Sequence, residues 1–153
     1  MADSYTQIYI QIVIVVKRRE NLIQKTWKDE LYKYITGIIT EKGQKLIRIN
    51  GVEDHIHILI SLKPSMALSD LVRDIKANSS KWINEKGFCK SKFEWQNGFG
   101  GFSYSKSAIE NVINYIDNQK AHHKKKKFRE EYIGFLKKFD IEFKEEYLFD
   151  FFD

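Results

Sequence analysis

The sequence predicts an α+β fold, one antiparallel sheet with amphipathic helices packed on it. Three observations carry the prediction. Two apolar runs, Ile8 to Val16 and His55 to Leu62, alternate with the period of two that a strand imposes. Longer segments between and after them repeat their apolar residues at helical spacing. The chain also lacks internal repeats, low-complexity tracts and Pro/Gly/Ser linkers, and Pro64 is its only proline. At 153 residues this makes a single domain, 1–153, long enough for a real core.

In the first run Ile8, Ile10, Ile12, Ile14 and Val16 share one face, and Tyr9, Gln11, Val13 and Val15 the other. A strand partly buried on both sides is expected. Asn21 is a candidate cap for a helix from Leu22 to about Lys42, with Leu31, Ile35, Ile38 and Ile39 as its buried set and Gly43 as its stop. Lys45 to Asn50 reads as a second strand. Gly51 marks a turn, and His55 to Leu62 completes a hairpin. Past Pro64, a helix from about Ala67 to Lys86 carries the stripe Leu68, Leu71, Val72, Ile75, Trp82 and Ile83, with Ser65 or Ser69 as its cap. An aromatic strand region from Phe93 to Tyr104 is broken by Asn97-Gly98 and Gly100-Gly101. Ser105 or Ser107 opens a helix from about Lys106 to His123, and a last helix near Arg129 to Phe139 leads into an acidic aromatic tail. The order β-α-β-β-α-β-α closes as a ferredoxin-like antiparallel sheet with helices mainly on one face, plus an extra C-terminal helix and tail.

Composition narrows the function classes. The longest apolar run, Ile8 to Val16, is far short of the roughly 20 residues that cross a bilayer, so no membrane role is expected. MADSYTQ shows no basic region or cleavage-like site of a secretory signal. A lone cysteine, Cys89, excludes an internal disulfide framework and a cysteine-based zinc finger, and a cytoplasmic location fits. The net charge of +5 leans toward an anionic partner. Its distribution says more, because His122-His123-Lys124-Lys125-Lys126-Lys127-Phe128-Arg129 is a dense basic block. Such a run is either a solvated helix end or a contact to phosphates.

The chemistry centres on EDHIHILI, Glu53 to Ile60. Alternation puts His55 and His57 on one side of the strand and Ile56, Ile58 and Ile60 on the other. Imidazole suits divalent first-row metals, and two on one strand face make half a coordination shell. Satisfied core histidines and an acid–base pair are the competing readings. On the helix after Ser107, Ile109, Val112, Ile113 and Ile116 form the buried stripe, while Tyr115 and Gln119 stack four residues apart on its flank. Spacing alone makes these ordinary residues of an amphipathic helix. A functional reading needs both, a phenol as nucleophile and an amide oxygen as a neutral ligand.

Asp54-His55-Ile56-His57-Ile58-Leu59 resembles the HUH signature, two histidines around a hydrophobic residue, and Tyr115-Ile116-Asp117-Asn118-Gln119 resembles the Tyr-x-x-x-Gln helix that accompanies it. Together they are similar to the single-tyrosine HUH transposases of the smallest bacterial insertion sequences and to the related REP-associated tyrosine transposases. The likeness extends over nearly the whole chain. It takes in Lys17-Arg18-Arg19, the Ser69-Asp70-Leu71-Val72-Arg73-Asp74-Ile75-Lys76 helix and Trp95. The resemblance implies a DNA transposase in which His55, His57 and Gln119 bind a divalent ion, Mg²⁺ or Mn²⁺. It implies that Tyr115 attacks a phosphodiester of single-stranded DNA, leaving a 5′-phosphotyrosine and a free 3′-hydroxyl that the reverse reaction reseals. It further implies recognition of subterminal hairpins and work as a homodimer, often with active sites shared between subunits.

Beside that resemblance, Lys120, Lys124, Lys125, Lys126 and Lys127 extend the tyrosine helix with positive charge suited to a DNA backbone, and Arg73 and Lys76 offer a second contact. Lys81 is placed similarly, and Trp95, Phe99, Phe102 and Tyr104 are candidates for base stacking or for the core. Asp54 either orients a histidine ring or merely enters the strand, and His122 competes with Gln119 as a ligand. The Gly-containing segment before the tyrosine helix is expected to let that helix move. Two rivals remain from other classes, a non-catalytic nucleic-acid-binding domain with structural histidines and a metallohydrolase that activates water.

Overall fold

The computed structural model describes residues 4–121 and 127–143. Four strands, β1 (Tyr9–Val15), β2 (Lys45–Val52), β3 (His55–Ser61) and β4 (Gly100–Tyr104), form one sheet in the order β2-β3-β1-β4. All three pairings are antiparallel, with His57 opposite Val13 on β1 and opposite Asn50 on β2. This is the split βαβ closure expected from the order of elements. β1 lies at the centre, which is why its two faces are both apolar.

The two long helices, α1 (Lys28–Glu41) and α2 (Leu68–Lys86), cover one face. Ile12, Ile14, Ile56, Ile58 and Ile60 meet Leu31, Ile35, Ile39, Leu71 and Ile75 there, all fully buried. Ile56 is core, as its alternation with the histidines requires. The opposite face carries α3 (Ile109–Asp117) and α4 (Phe128–Lys138), which pack Val112, Ile116, Phe128, Tyr132 and Leu136 on Val13, Val15, Leu59 and Phe102. The shorter pair of helices therefore roofs the histidine side of the sheet.

Several boundaries shift for visible reasons. α1 starts at Lys28 rather than Leu22, because the Ile23 amide bonds to the Glu53 carbonyl and Trp27 stacks on Phe88. Neither expected serine caps α2, whose N-cap is Ala67, while Gly87 at φ 69° supplies the left-handed stop. Gly51 is not the turn. It lies inside β2 opposite Ile56, and the chain reverses at residues 53–54. A Cβ on Gly51 would stand 2.7 Å from the Ile56 Cα, so this position tolerates only glycine. Gly100 and Gly101 are likewise not a hinge, since they pair with Val13 and Ile12 in β4. The helix expected from Lys106 to His123 is divided. Lys106–Ala108 is a 3₁₀ turn, α3 ends at Asp117, and residues 119–121 are helical again.

Candidate metal centre and tyrosine site

His55 and His57 sit at the start of β3, side by side on the α3/α4 face, and both are completely buried. Their ring centres are 5.3 Å apart. Burial pushes the His55 imidazolium below its ordinary range, so this ring is held neutral, the form a metal needs. Each Nδ1 faces an oxygen acceptor. His55 Nδ1 donates to Asp54 Oδ1 at 2.7 Å, and His57 Nδ1 donates to Gln11 Oε1 at 2.8 Å. With the protons placed there, the Nε2 lone pairs of both rings point away from their anchors.

These anchors are themselves held. Arg19 Nε donates to Asp54 Oδ2 at 2.9 Å, and its guanidinium lies 5.7 Å from the centre of the Phe128 ring. Arg18 and Arg19 reach this position through left-handed backbone, φ 61° and 53°, an uncommon conformation for side-chain-bearing residues. Burial raises the Asp54 carboxyl, but the hydrogen bonds from His55 and Arg19 and the Arg19 charge outweigh it and leave the group below its usual value. Gln11 is fully buried in the centre of β1, and its Nε2 donates to the Tyr104 hydroxyl at 2.9 Å.

Glu131, from the first turn of α4, completes the cluster. It is 6% exposed, and its Oε1 is 3.0 Å from His57 Nε2. Ligand atoms of His55, His57 and Glu131 all lie within 4.8 Å of one another. Two imidazole Nε2 atoms and a carboxylate are a donor set that suits a divalent cation, and the hydrogen bonds at both Nδ1 atoms aim the right nitrogens. The residues thus fit such an ion.

Tyr115 stands over this cluster from the last turns of α3. Its ring centre is 5.9 Å from that of His57, edge-on. The Glu131 carboxylate and the Gln119 side chain lie beside its phenol. Burial first, and the Glu131 carboxylate second, push its pKa well above that of a free phenol. The C-terminal end of α3 is tied to β2 of the same chain, where Asn50 Nδ2 donates to the Ile116 carbonyl at 2.9 Å and Arg48 pairs with Asp117 at 3.3 Å.

The family model described as "Transposase IS200 like" matches residues 4–119, from before β1 to the end of the tyrosine segment. The chain belongs to the IS200-like transposase family. A curated relative, the ISDra2 transposase TnpA of Deinococcus radiodurans, is 27% identical over 75 residues, 49% of this chain and 54% of that protein. The chain thus matches about half the length of that relative. Among solved structures, a transposase-assigned protein of Deinococcus radiodurans R1 superposes with a TM-score of 0.63 at 19% identity, covering 78% of this chain and 96% of that one. A REP-associated tyrosine transposase bound to a REP hairpin superposes with a TM-score of 0.61 at 15% identity, covering 80% of this chain and 73% of that one. At these identities the likeness is one of fold, and it agrees with the sheet and helices described above.

In this family member the buried His55 and His57 share one site with the half-buried Tyr115, and Gln119 joins it through Tyr115. Gln119 is fully buried and also donates from Nε2 to the Tyr115 carbonyl at 3.3 Å. Of the basic positions, Lys120 and Lys127 are exposed, and Lys124, Lys125 and Lys126 lie outside the described residues together with His122 and His123. Arg73 is exposed on α2 and pairs with Asp70 and Asp74. Lys76 is committed to the structure, since its ammonium donates to the carbonyls of Gln96 and Gly98, the latter at 2.9 Å. Both, with Lys17, Lys81 and Lys92, line a groove of about 980 Å³ between α2 and residues 92–99. Trp95 and Phe102 are core, while Phe99 and Tyr104 are partly exposed.

Sequence reasoning missed Glu131, Gln11 and Arg19. Gln11 had a signal, an amide in the middle of an otherwise apolar strand. Glu131 had none, because in Phe128–Lys138 it is one acid beside another, and only the docking of α4 distinguishes it from Glu130. Among the described residues, no helix is long and apolar enough to cross a membrane.

Proposed function

We propose that this chain cleaves and rejoins single-stranded DNA through a covalent 5′-phosphotyrosine link on Tyr115. The observation that carries the reading is the convergence of the buried His55 and His57 rings and Glu131 carboxylate with the half-buried Tyr115 phenol on one face of the sheet of a single chain. His55 and His57 would hold a divalent ion, Mg²⁺ or Mn²⁺, through Nε2, with Glu131 and Gln119 as the further donors. Such an ion, when bound, polarises a phosphoryl oxygen of the scissile phosphodiester. Tyr115 Oη attacks the phosphorus, the bond from phosphorus to the 3′ oxygen breaks, and that oxygen leaves as a 3′-hydroxyl after taking a proton. The phenolic proton passes to the neighbouring Glu131 carboxylate, whose charge acts on the phenol. One phosphodiester is exchanged for another, so no external energy source enters, and a different 3′-hydroxyl reverses the step to join strands.

The same reading assigns hairpin DNA to the basic surface. The groove along α2, with Arg73, Lys76 and Lys81, and the run Lys120 and Lys124 to Lys127 supply charge for a phosphate backbone. It is supported by the hairpin carried by one structural neighbour. A homodimer is proposed as well, and the position of Tyr115 beside His57 of its own chain favours a site built within each subunit.

The test is adduct formation on single strands taken from the DNA flanking the gene, with Mn²⁺ and a denaturing gel. Wild-type protein should form a covalent protein–DNA species that Tyr115→Phe and a chelator both abolish. An adduct that survives in Tyr115→Phe would overturn the assignment. Binding of the same DNA with no adduct under any metal would leave a nucleic-acid-binding domain with structural histidines.

A further inference from the structure

Tyr115 also borders a cavity of about 350 Å³, framed by Gln11, Tyr104, Asn111, Tyr115, Phe135 and Lys138. It adjoins the histidine cluster, since Gln11, Tyr115 and Phe135 also contact His57. This volume sits at the small end of ligand sites, enough for one flat heterocycle and too little for a duplex. None of its lining residues is acidic.

The walls are built for a ring. Phe135 meets Tyr115 edge-on, with centres 5.7 Å apart and planes at 90°. Tyr104 is fixed by the amide of Gln11, a fully buried side chain that also anchors His57. Lys138 Nζ lies 5.9 Å from the Tyr104 ring centre, at an exposed position where it can meet a phosphate. Asn111 is exposed on α3, one turn before Tyr115, and its amide offers both a donor and an acceptor. Aromatic faces, one cation and one amide are the elements with which proteins hold an unstacked base.

We propose that this cavity receives one nucleobase of the single strand, the base of a nucleotide flanking the phosphate that Tyr115 attacks. The inference rests on the reading of Tyr115 as nucleophile. A strand whose phosphate lies at the phenol has its neighbouring base next to the Tyr104–Phe135 walls, with Lys138 on the next phosphate and Asn111 on the edge of the base. The cavity thereby sets local sequence preference at the cleavage position, separately from the groove along α2.

The experiment uses the full chain, Mn²⁺ and a single strand whose cleavage position has been mapped by the adduct assay. An abasic nucleotide is placed on either side of the scissile phosphate in turn. At one of the two positions it should slow adduct formation about tenfold, the loss expected for one stacked base. Asn111→Ala and Lys138→Gln should each slow cleavage of the intact strand, and Asn111→Ala should add nothing to the abasic defect. No effect of an abasic nucleotide at either position, or losses that multiply with Asn111→Ala, would overturn the inference. If wild-type protein forms no adduct at all, the nucleophile reading fails by itself. The cavity is then judged with Tyr115→Phe protein and a single strand carrying 2-aminopurine, whose fluorescence should be quenched on binding and regained in the Asn111→Ala background. Binding without quenching sinks the cavity proposal.

Discussion

Replacing Gln11 by Leu keeps the volume of a fully buried side chain and removes both of its hydrogen bonds. The Tyr104 hydroxyl is only partly buried and can turn to water. The Nδ1–H of His57 cannot, because the ring is fully buried and Gln11 is its partner there. An orphaned buried donor costs about 1–3 kcal/mol, which in a chain of this length lowers Tm by roughly 3–9 °C. The His57 ring also loses what fixes its tautomer, so Mn²⁺ affinity should fall by about 10–100-fold. Calorimetric unfolding measures the first effect and Mn²⁺ titration the second. Gln11→Glu, which keeps an acceptor at the same reach, should restore much of the affinity. A fall in Tm with unchanged Mn²⁺ affinity would refute the reasoning, since Gln11 would then serve the core and not the metal.

Other perturbations follow from the same geometry. Gly51→Ala drives a methyl group into the backbone of Ile56, so urea denaturation should show a loss at or above the about 1–3 kcal/mol typical of overpacking. Ser79→Ala removes the acceptor, 2.9 Å away, of the Trp95 indole N–H under α2 and should cost about 1–2 kcal/mol in the same assay, with little change in Mn²⁺ binding. Mn²⁺ at a hundred times its Kd should stabilise the fold by about 2.7 kcal/mol, and a chelator should reverse the gain. No stabilisation should remain in His57→Ala.

How much of this was legible in the sequence varies with the kind of interaction. The alternation of Ile56, Ile58 and Ile60 with His55 and His57 sorted the strand faces correctly, because side-chain direction in a strand is a local property of the backbone. The stripe of Ile109, Val112, Ile113 and Ile116 did the same for α3, and the order of elements allowed little besides the split βαβ sheet. Boundaries were less legible where a distant partner set them. Trp27 and the Glu53 carbonyl delay α1, and the close approach of β3 turns Gly51 from a loop residue into a strand residue.

The site divides along the same line. The histidine pair, the Tyr115–Gln119 spacing and the family that they signal are legible without coordinates, since each is written within a few consecutive residues. Tertiary structure alone decided which groups surround them. Arg19, Gln11 and Glu131 come from the turn after β1, from β1 itself and from α4, and they meet His55 and His57 only because the sheet and its second helical layer bring them together. A hydrogen bond or a ligand contact depends on distance in space. For Gln11 and His57 that distance is 2.8 Å across 46 residues of chain, a closeness no local pattern encodes.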